Sequence, residues 1–201
     1  MLQEKKAQIR RDVITQRDAV EPADRTRAAA AVRGRLAARD DVRSARTLLA
    51  FAAFGSEVDL DPLLEYLIAR GVGVFLPFVE RLVPPDLGIA RIKDLHADLT
   101  PGRMGIREPD PSRRRAARVD RIDVVLAPGV AFDTSGRRIG YGGGFYDRLI
   151  PRLRPGTPVI AAAYALQVVP EVPETSHDVR VDAVVTESGT ITVRPRTHGR
   201  A

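Results

Sequence analysis

Five glycines between positions 136 and 144 lie close to Arg138 and Asp147, and together they are the residue types that phosphate chemistry requires. Glycine lets the backbone approach a phosphate closely and direct several N–H groups at it. Arginine can bind two phosphate oxygens at once, and a carboxylate beside a phosphate is best explained by a cation between them. The segment therefore predicts a phosphate site with a metal ion, although a flexible surface turn has a similar composition.

This glycine segment matches neither of the two common phosphate motifs. It lacks the Gly-Lys-Ser/Thr ending of a P-loop, and Phe145 stands where the dinucleotide fingerprint requires glycine. Asp147 and Asp178 are the two candidate ligands for a metal ion. If Asp147 binds no metal, it is a capping carboxylate in the first turn of a helix. If Asp178 binds none, it is a residue of a loop turn. Asp133 and Gly136 have the form of a type I turn, so we interpret Asp133 as structural.

A pair of cations near the N-terminus forms a second candidate site. Lys6 and Arg10 are four residues apart, so a helix places them on one face. Two like charges this close are slightly unfavourable unless an anion lies between them; the alternative is a solvated basic helix. Only Lys5, Lys6 and Lys93 are lysines, and nearly all of the positive charge is arginine.

The elements that must position these residues follow a strand–helix alternation. We predict strands at 47–51, 72–76, 87–92, 123–127, 159–163, 183–186 and, at an edge, 191–193. We predict helices at 3–18, at 22–38, from a capping Asp61 to Gly71 and at 145–153, with a loop at 100–111 and a solvated helix or turn at 112–121. The strand at 123–127 ends just before the glycines, where open α/β sheets bind ligands.

This alternation predicts an α/β fold. We expect a single three-layer domain over residues 1–201, with a mainly parallel sheet, helices on both faces and an N-terminal helical pair. The first helix has a thin apolar stripe of Ile9, Val13 and Ile14.

Composition bounds the function as well. The 201 residues carry a formal charge of +6 and include no cysteine, which excludes a disulfide scaffold, a thiolate metal site and a cysteine nucleophile. No stretch is typical of a signal peptide or a membrane span, so we expect a cytoplasmic protein that binds no membrane. Basic charge alone is weak support for nucleic-acid binding, and we expect none.

The residues around the glycines form a longer pattern, PGxAFDxxGxRxGxGGGxYDR, which runs from Pro128 to Arg148. This pattern resembles the signature of the 5-formyltetrahydrofolate cyclo-ligase family. Further segments resemble landmarks of the same family in the same order; they are residues 6–10, 54–59, 105–109 and 177–182. The resemblance thus extends over nearly the whole chain.

The resemblance implies a ligase of folate metabolism that uses ATP as co-substrate and Mg²⁺ as metal ion. In the implied reaction, ATP phosphorylates the formyl oxygen of 5-formyltetrahydrofolate, the 10-nitrogen attacks, and 5,10-methenyltetrahydrofolate, ADP and phosphate result. The implied partners are the folate and ATP, and we expect a monomer.

The resemblance also implies roles for individual residues. Arg138 and Tyr146 would act in catalysis, and Asp147 and Asp178 would bind the metal. ATP would be bound by Lys6, Arg10, Arg138, Ile139, Gly140, Tyr141, Gly142, Gly143, Gly144, Phe145 and Tyr146. The folate would be bound by Ala52, Phe54, Glu57, Tyr141, Gly142, Gly143, Gly144 and Phe145.

The chain departs from the family pattern at Tyr141 and Gly143, where some members carry a basic residue. The charge that balances the phosphates must then come from elsewhere in the chain. A catalytically silent relative on the same fold, which holds a nucleotide, a folate or RNA, is the first alternative. A sugar-phosphate isomerase or acyl-CoA transferase of similar architecture is the second, and the glycine signature fits it poorly.

Overall fold

The computed structural model describes residues 1–102 and 105–193. In chain order, the helices of these residues are α1 (Leu2–Asp18), α2 (Pro22–Ala38), α3 (Asp40–Arg43), α4 (Asp61–Ala69) and α5 (Phe145–Leu149). The strands are β1 (Thr47–Leu49), β2 (Gly73–Arg81), β3 (Asp86–Ile92), β4 (Leu99–Pro101), β5 (Arg107–Pro109), β6 (Val124–Ala127), β7 (Ala131–Phe132), β8 (Arg138–Ile139), β9 (Val159–Ala162), β10 (Ala183–Val185) and β11 (Thr190–Thr192).

Seven of the strands in the described part of the chain form one central sheet, in the order β11-β10-β9-β6-β1-β2-β3. The five inner strands are parallel to one another. The edge strands β3 and β11 are antiparallel to their neighbours. The predicted mainly parallel sheet is confirmed, including the edge strand expected at 191–193, which is antiparallel.

The inner strands are buried on both faces because their sequences are continuous apolar runs. Every residue of β6 and β9 is buried. Successive residues of a strand point to opposite faces, and this alternation separates two cores. Val124 and Leu126 of β6 pack in one core, and Val125 and Ala127 pack in the other.

Helices cover both faces of this sheet. Leu36 of α2 and Leu64 of α4 belong to the core that contains Val124 and Leu126. Leu149 of α5 belongs to the opposite core. The predicted three-layer α/β architecture is therefore confirmed.

The N-terminal helices α1 and α2 form at the predicted positions, but their apolar residues are buried in different clusters. Whereas α2 packs on the sheet, Val13 of α1 packs with Val130, Ala131 and Ile139 around the β7–β8 hairpin. Ile9 and Ile14 are partly buried against the same cluster. This packing places α1 beside the glycine segment, which directly follows β8.

The loop predicted at 100–111 is wrong in part, because β4 and β5 pair as a two-stranded antiparallel sheet within it. Residues 103 and 104 of this segment lie outside the described residues. Prolines at 101 and 109 favoured the loop prediction, yet proline is tolerated at the edge of a ladder, where its missing N–H is not required.

Two helix ends also differ from prediction. Asp61 is the first helical residue of α4 rather than its cap, and its carboxylate binds the Arg107 guanidinium through contacts of 2.8 and 2.9 Å. The helix predicted to reach residue 153 is α-helical only to Leu149 and continues as a 3-10 helix, Ile150–Arg152. Pro151 has no N–H to continue the α-helical hydrogen bonding.

The basic segment predicted as a solvated helix or turn at 112–121 is only partly solvated. It ends in a 3-10 helix, Val119–Arg121, and the Arg114 guanidinium covers the ring of Phe78 at 3.8 Å from its centroid. None of the helices in the described ranges combines the length and apolar character that a membrane crossing demands.

Candidate active site

The glycine segment is held by a hairpin at its start. β7 and β8 pair in antiparallel orientation, and the predicted turn between them forms, with the Gly136 amide donating to the Asp133 carbonyl at 3.0 Å. The Asp133 carboxylate accepts hydrogen bonds from the amides of Ser135, Arg137 and Val172. These bonds agree with the structural role that we predicted for Asp133.

The loop from Gly140 to Gly144 has a backbone that most residues could not adopt. Gly142 has φ of +105° and Gly144 has φ of +66°, in the region where a side chain is strained. A Cβ at Gly143 would lie 2.7 Å from the Phe145 ring. The shape of the loop therefore requires these glycines. A flexible surface turn, the alternative interpretation of the sequence, would not depend on them in this way.

A cavity of about 380 Å³ lies at this loop, and every site residue predicted from the sequence lines it. Lys6 and Arg10 reach it from α1, and Ala52, Phe54 and Glu57 reach it from the segment that follows β1. Residues 138–147 form another wall, and Asp178 comes from the loop before β10. Segments far apart in the chain thus converge at the carboxyl ends of β1 and β6, as expected for an open α/β sheet.

Two ion pairs lie at one end of the cavity. The Lys6 ammonium donates to the Asp178 carboxylate in a short contact, and Arg138 Nη2 lies 2.8 Å from Asp147 Oδ1. Both cations are almost fully buried, with exposed fractions of 7% for Lys6 and 8% for Arg138. The Val179 amide donates to Asp147 Oδ1 at 3.1 Å. Because Val179 directly follows Asp178 in the chain, this bond ties the Asp147 carboxylate to the segment that carries Asp178.

The charge of Asp178 is stabilised by its neighbours. Partial burial raises the pKa of this carboxyl, but hydrogen bonds from the Lys6 ammonium and from the amide and hydroxyl of Thr175 outweigh that effect and hold the pKa below its ordinary value. Asp178 is therefore ionised at neutral pH. Arg10 fixes the adjacent loop, because its Nε donates to the Gly140 carbonyl at 2.8 Å.

The carboxylates of Asp147 and Asp178 are a suitable but incomplete ligand set for Mg²⁺. One oxygen of each accepts no hydrogen bond from the residues that the structure describes. The described residues include no group of three or more His, Cys, Asp or Glu that could hold a metal ion. Magnesium often takes one or two carboxylates and completes its shell with water and phosphate oxygens, so the donor set fits that chemistry.

Several buried polar atoms at the cavity have no hydrogen-bond partner among the described residues. They are Glu57 Oε1, Arg138 Nε and the Tyr146 hydroxyl. A buried polar atom without a partner costs about 1–3 kcal/mol. All three atoms belong to residues that line the cavity, which is compatible with a ligand that supplies hydrogen bonds there.

Burial also sets the protonation of the two groups Glu57 and Tyr146. Burial raises the pKa of Glu57, and it outweighs the backbone hydrogen bond from Phe54 and the charge of Arg17, which lower it. Burial also raises the pKa of Tyr146, against the opposing effect of the Arg138 charge. Tyr146 is thus a neutral hydrogen-bond donor throughout the physiological range.

Aromatic rings form the mouth of the cavity. Phe54 and Tyr141 meet edge to face, with centroids 6.4 Å apart and planes at 78°. Both side chains are about 40% exposed, which is unusual for large apolar groups and typical of surfaces that bind flat ligands.

A comparison with protein families decides the affiliation of the chain. The model of the 5-formyltetrahydrofolate cyclo-ligase family matches residues 2–187. The chain belongs to this family. It is therefore a ligase, and the resemblance in the glycine segment is confirmed as a family relationship.

Individual relatives agree with the family assignment. The 5-formyltetrahydrofolate cyclo-ligase of Escherichia coli K12 is 35% identical over 147 residues, which cover 72% of this chain and 79% of the relative. That of Mycolicibacterium smegmatis is 33% identical over 184 residues, which cover 90% and 93%.

Two solved structures of 5,10-methenyltetrahydrofolate synthetases share the architecture. The Aquifex aeolicus protein aligns with a TM-score of 0.82 at 28% identity, over 98% of this chain and 99% of its own. The Mycoplasma pneumoniae protein aligns with a TM-score of 0.73 at 20% identity, over 90% and 98%, and this second likeness supports the fold alone.

Sequence reasoning missed part of the wall of this cyclo-ligase cavity. Phe78 and Leu87, from the β2–β3 hairpin, line it together with Ile106 and Glu108. The predicted strands at 72–76 and 87–92 were the available signal, but they were given no role in the site. Glu108 lies in a segment that resembles a family landmark, and no role was assigned to it.

Proposed function

We propose that this cyclo-ligase converts 5-formyltetrahydrofolate and ATP into 5,10-methenyltetrahydrofolate, ADP and phosphate, with Mg²⁺ bound. The observation that carries the proposal is that three residues lining one cavity each hold a buried polar atom without a partner among the described residues: Glu57 Oε1, Arg138 Nε and the Tyr146 hydroxyl. A folate and a triphosphate together offer donors for the carboxylate and acceptors for the other two.

The reaction needs activation of a poor electrophile. The formyl oxygen of the substrate attacks the γ-phosphorus of ATP, and ADP leaves. The 10-nitrogen then attacks the formyl carbon, loses its proton, and the phosphorylated oxygen leaves as phosphate. No step requires a covalent bond to the protein, so the protein contributes positioning, charge neutralisation and exclusion of water.

The phosphate end of the cavity supplies the cations. We propose that Arg138, Lys6 and Arg10 bind phosphate oxygens, while the amides of the loop from Gly140 to Gly144 approach them closely. The positions Tyr141 and Gly143 carry no charge here, so the α1 cations compensate for the basic residues found there in some relatives. Ile139 and Phe145 would complete the nucleotide contacts.

The substrate end of the cavity supplies a carboxylate and rings. We propose that Glu57 accepts hydrogen bonds from the amino-pyrimidine edge of the folate, and that Ala52, Phe54, Tyr141 and Phe145 contact its flat rings. The Tyr146 hydroxyl would donate to the oxygen on which charge develops during transfer. Arg138 lies with its guanidinium 5.8 Å from the Tyr146 ring centroid, so both proposed catalytic groups belong to one region.

We propose that Asp147 and Asp178 hold the metal ion. When bound, Mg²⁺ would neutralise charge on the transferred phosphoryl group. The side chains Asp147 and Asp178 would orient the nucleotide through that ion, while Arg138 and Lys6 exchange their carboxylate partners for phosphate. The one-domain organisation, the monomeric state, the cytoplasmic location and the absence of nucleic-acid binding stay predictions.

The proposal is tested by mixing the purified protein with 5-formyltetrahydrofolate, ATP and Mg²⁺ and following the absorbance of methenyltetrahydrofolate. We expect product that depends on ATP and on the metal, with one ADP formed per product. Parallel mixtures with a non-hydrolysable ATP analogue should give none. Tight binding of folate, nucleotide or RNA without turnover would instead identify the catalytically silent alternative.

A further inference from the structure

Arg17 is a buried cation that does not line the cavity. It lies in the last turn of α1 and is only 2% exposed. Lys6, Arg10, Val13 and Arg17 follow one another at spacings of four, three and four residues, so they share one face of α1. The face of the helix that packs inward is thus mostly cationic, and its cations point toward the site segments.

The guanidinium of Arg17 joins two walls of the cavity. Its Nε donates to Ser56 Oγ at 2.8 Å, and its Nη2 donates to the Tyr141 hydroxyl at 2.9 Å. Ser56 belongs to the segment that carries Phe54 and Glu57, whereas Tyr141 belongs to the glycine loop. A single side chain therefore links the N-terminal helix, the segment after β1 and the loop.

Charge makes a further link between Arg17 and Glu57. Arg17 Nη1 and Glu57 Oε1 are both buried, and neither has a hydrogen-bond partner among the described residues. Burial raises the pKa of Glu57, whereas the Phe54 amide, the charge of Arg17 and the nearby Tyr141 hydroxyl lower it. The two side chains form no direct ion pair, but opposite charges buried near each other still favour each other's ionised form.

We propose that Arg17 is a positioning residue for the substrate half of the site: it fixes Tyr141 against the segment of Phe54 and Glu57, and it places a buried positive charge beside that segment. The inference rests on the proposed function for the identity of that substrate. The contacts that Arg17 makes exist in the protein alone, so they can be tested without it.

Other titratable groups surround this pair and must be separated from Glu57. Asp18 accepts a short hydrogen bond from Ser56 Oγ. Tyr141 and Tyr164 have pKa values of about 12, raised chiefly by burial, and burial raises that of Tyr146 as well. The three tyrosines stay neutral below about pH 9, so the carboxyls are the relevant groups, and replacing Glu57 alone distinguishes it from Asp18.

The first experiment uses no ligand. The free energy of unfolding is measured against pH for the natural protein, Arg17→Met, Glu57→Gln and the double variant. Losing the Arg17 charge should raise the pKa of Glu57 further. The loss of unfolding free energy caused by Arg17→Met should therefore grow as pH rises from below the ordinary pKa of glutamate. In the Glu57→Gln background this growth should vanish; a cost that is the same at every pH in both backgrounds would refute the coupling.

The second experiment measures binding of 5-formyltetrahydrofolate by calorimetry across the same pH range. Arg17→Met should move the midpoint of the affinity profile to higher pH and weaken binding by about tenfold or more near neutrality. Arg17→Lys, which retains the charge, should restore much of the midpoint. ADP affinity should change little, because the proposed role concerns the substrate half.

Arg11→Met is the matched control, since Arg11 is an exposed arginine on the same helix that contacts only Gln8 among the described residues. It should leave folate and ADP affinity unchanged. If Arg17→Met does not fold, Tyr141→Phe removes one of the two contacts and should still raise the folate dissociation constant about threefold to tenfold.

The outcomes separate the two proposals. An unchanged folate profile in folded Arg17→Met, or unchanged affinity in Tyr141→Phe, would overturn the positioning role while leaving the proposed reaction intact. Absence of folate binding by the natural protein would instead overturn the proposed function, and the unfolding experiment would still decide whether Arg17 controls Glu57.

Discussion

The two ends of the cavity differ in how their buried charges are stabilised. At the phosphate end, Lys6 is paired with Asp178 and Arg138 with Asp147. At the substrate end, Glu57 Oε1 has no hydrogen-bond partner among the described residues. Paired charges must exchange partners when a ligand binds, whereas an unpaired group simply gains one. Substitutions at the phosphate end should therefore reduce activity most. Substitutions at the substrate end should change folate binding and the free energy of unfolding independently of each other.

The largest effect is expected for Asp147→Asn. This change removes the charge that pairs with Arg138 and the proposed metal ligand, so we expect kcat/KM to fall by about 100-fold or more. Steady-state kinetics at several Mg²⁺ concentrations would measure the loss, and circular dichroism would show that the fold survives.

Asp120→Asn is the matched control for this variant. Asp120 forms a surface ion pair with Arg118, where a loss of charge should cost little activity. If Asp147→Asn were as active as Asp120→Asn, the metal assignment and the contrast between the two ends would both be wrong.

The next largest effect is expected for Glu57→Gln, at the substrate end. The amide keeps the size of the side chain but loses the negative charge, so we expect the KM for folate to rise about tenfold or more with little change in the KM for ATP. A rise in the KM for ATP of similar size would remove the proposed division of the cavity.

Glu57→Gln also has a pH-dependent effect on stability with a definite sign. Burial raises the pKa of Glu57 in the folded protein above its value in the unfolded chain. The protonated carboxyl therefore contributes its full stabilisation at a pH below the pKa of the unfolded chain, and this contribution is lost as pH rises through the pKa of the folded protein. Glutamine cannot ionise, so the variant should gain stability relative to the natural protein as pH rises. Urea unfolding at about pH 4 and about pH 8 would measure the difference.

Tyr146→Phe should have a smaller effect, in which activity falls while stability does not. The hydroxyl is buried without a partner among the described residues, so its removal should leave the melting temperature unchanged or higher. We expect kcat to fall about tenfold, because the proposed donor to the reacting oxygen is lost. A variant that lost both activity and stability would indicate a structural role instead.

The smallest effect is expected for Gly144→Ala in the loop. Nothing lies within 4 Å of the added Cβ, but φ is +66°, so we expect a loss of about 1–2 kcal/mol in unfolding free energy. Gly34→Ala is the matched control, since Gly34 lies in the exposed interior of α2 with open space around it, and it should gain about 1 kcal/mol. Equal effects of the two changes would contradict the conformational role of the loop glycine.

Local patterns predicted most of the fold. The apolar run at 123–127 and the strand–helix alternation predicted a parallel α/β sheet, and the glycine pattern led to the family. The β4–β5 hairpin was missed because its prolines are typical of loops, and the pairing that permits them is not visible from neighbouring residues.

Within the site, the sequence identified the side chains but not their partners. All of the predicted residues line one cavity. That Lys6 meets a carboxylate 172 residues away, or that Arg17 meets Tyr141 across 124 residues, follows from no local pattern. Local patterns predict that charged residues of a helix are solvated. Lys6 and Arg17 are buried instead, because oxygen atoms of segments distant in the chain accept their hydrogen bonds.

The sequence by itself determined the strands of the central sheet, the main helices, the shape-determining glycines and the family of this chain, because those depend on residue type and spacing along a short stretch. Only the tertiary structure decided which charges are paired, which buried atoms are left without partners and how α1 reaches the site. Such contacts depend on distances between segments far apart in the chain, and packing of the whole sheet fixes those distances.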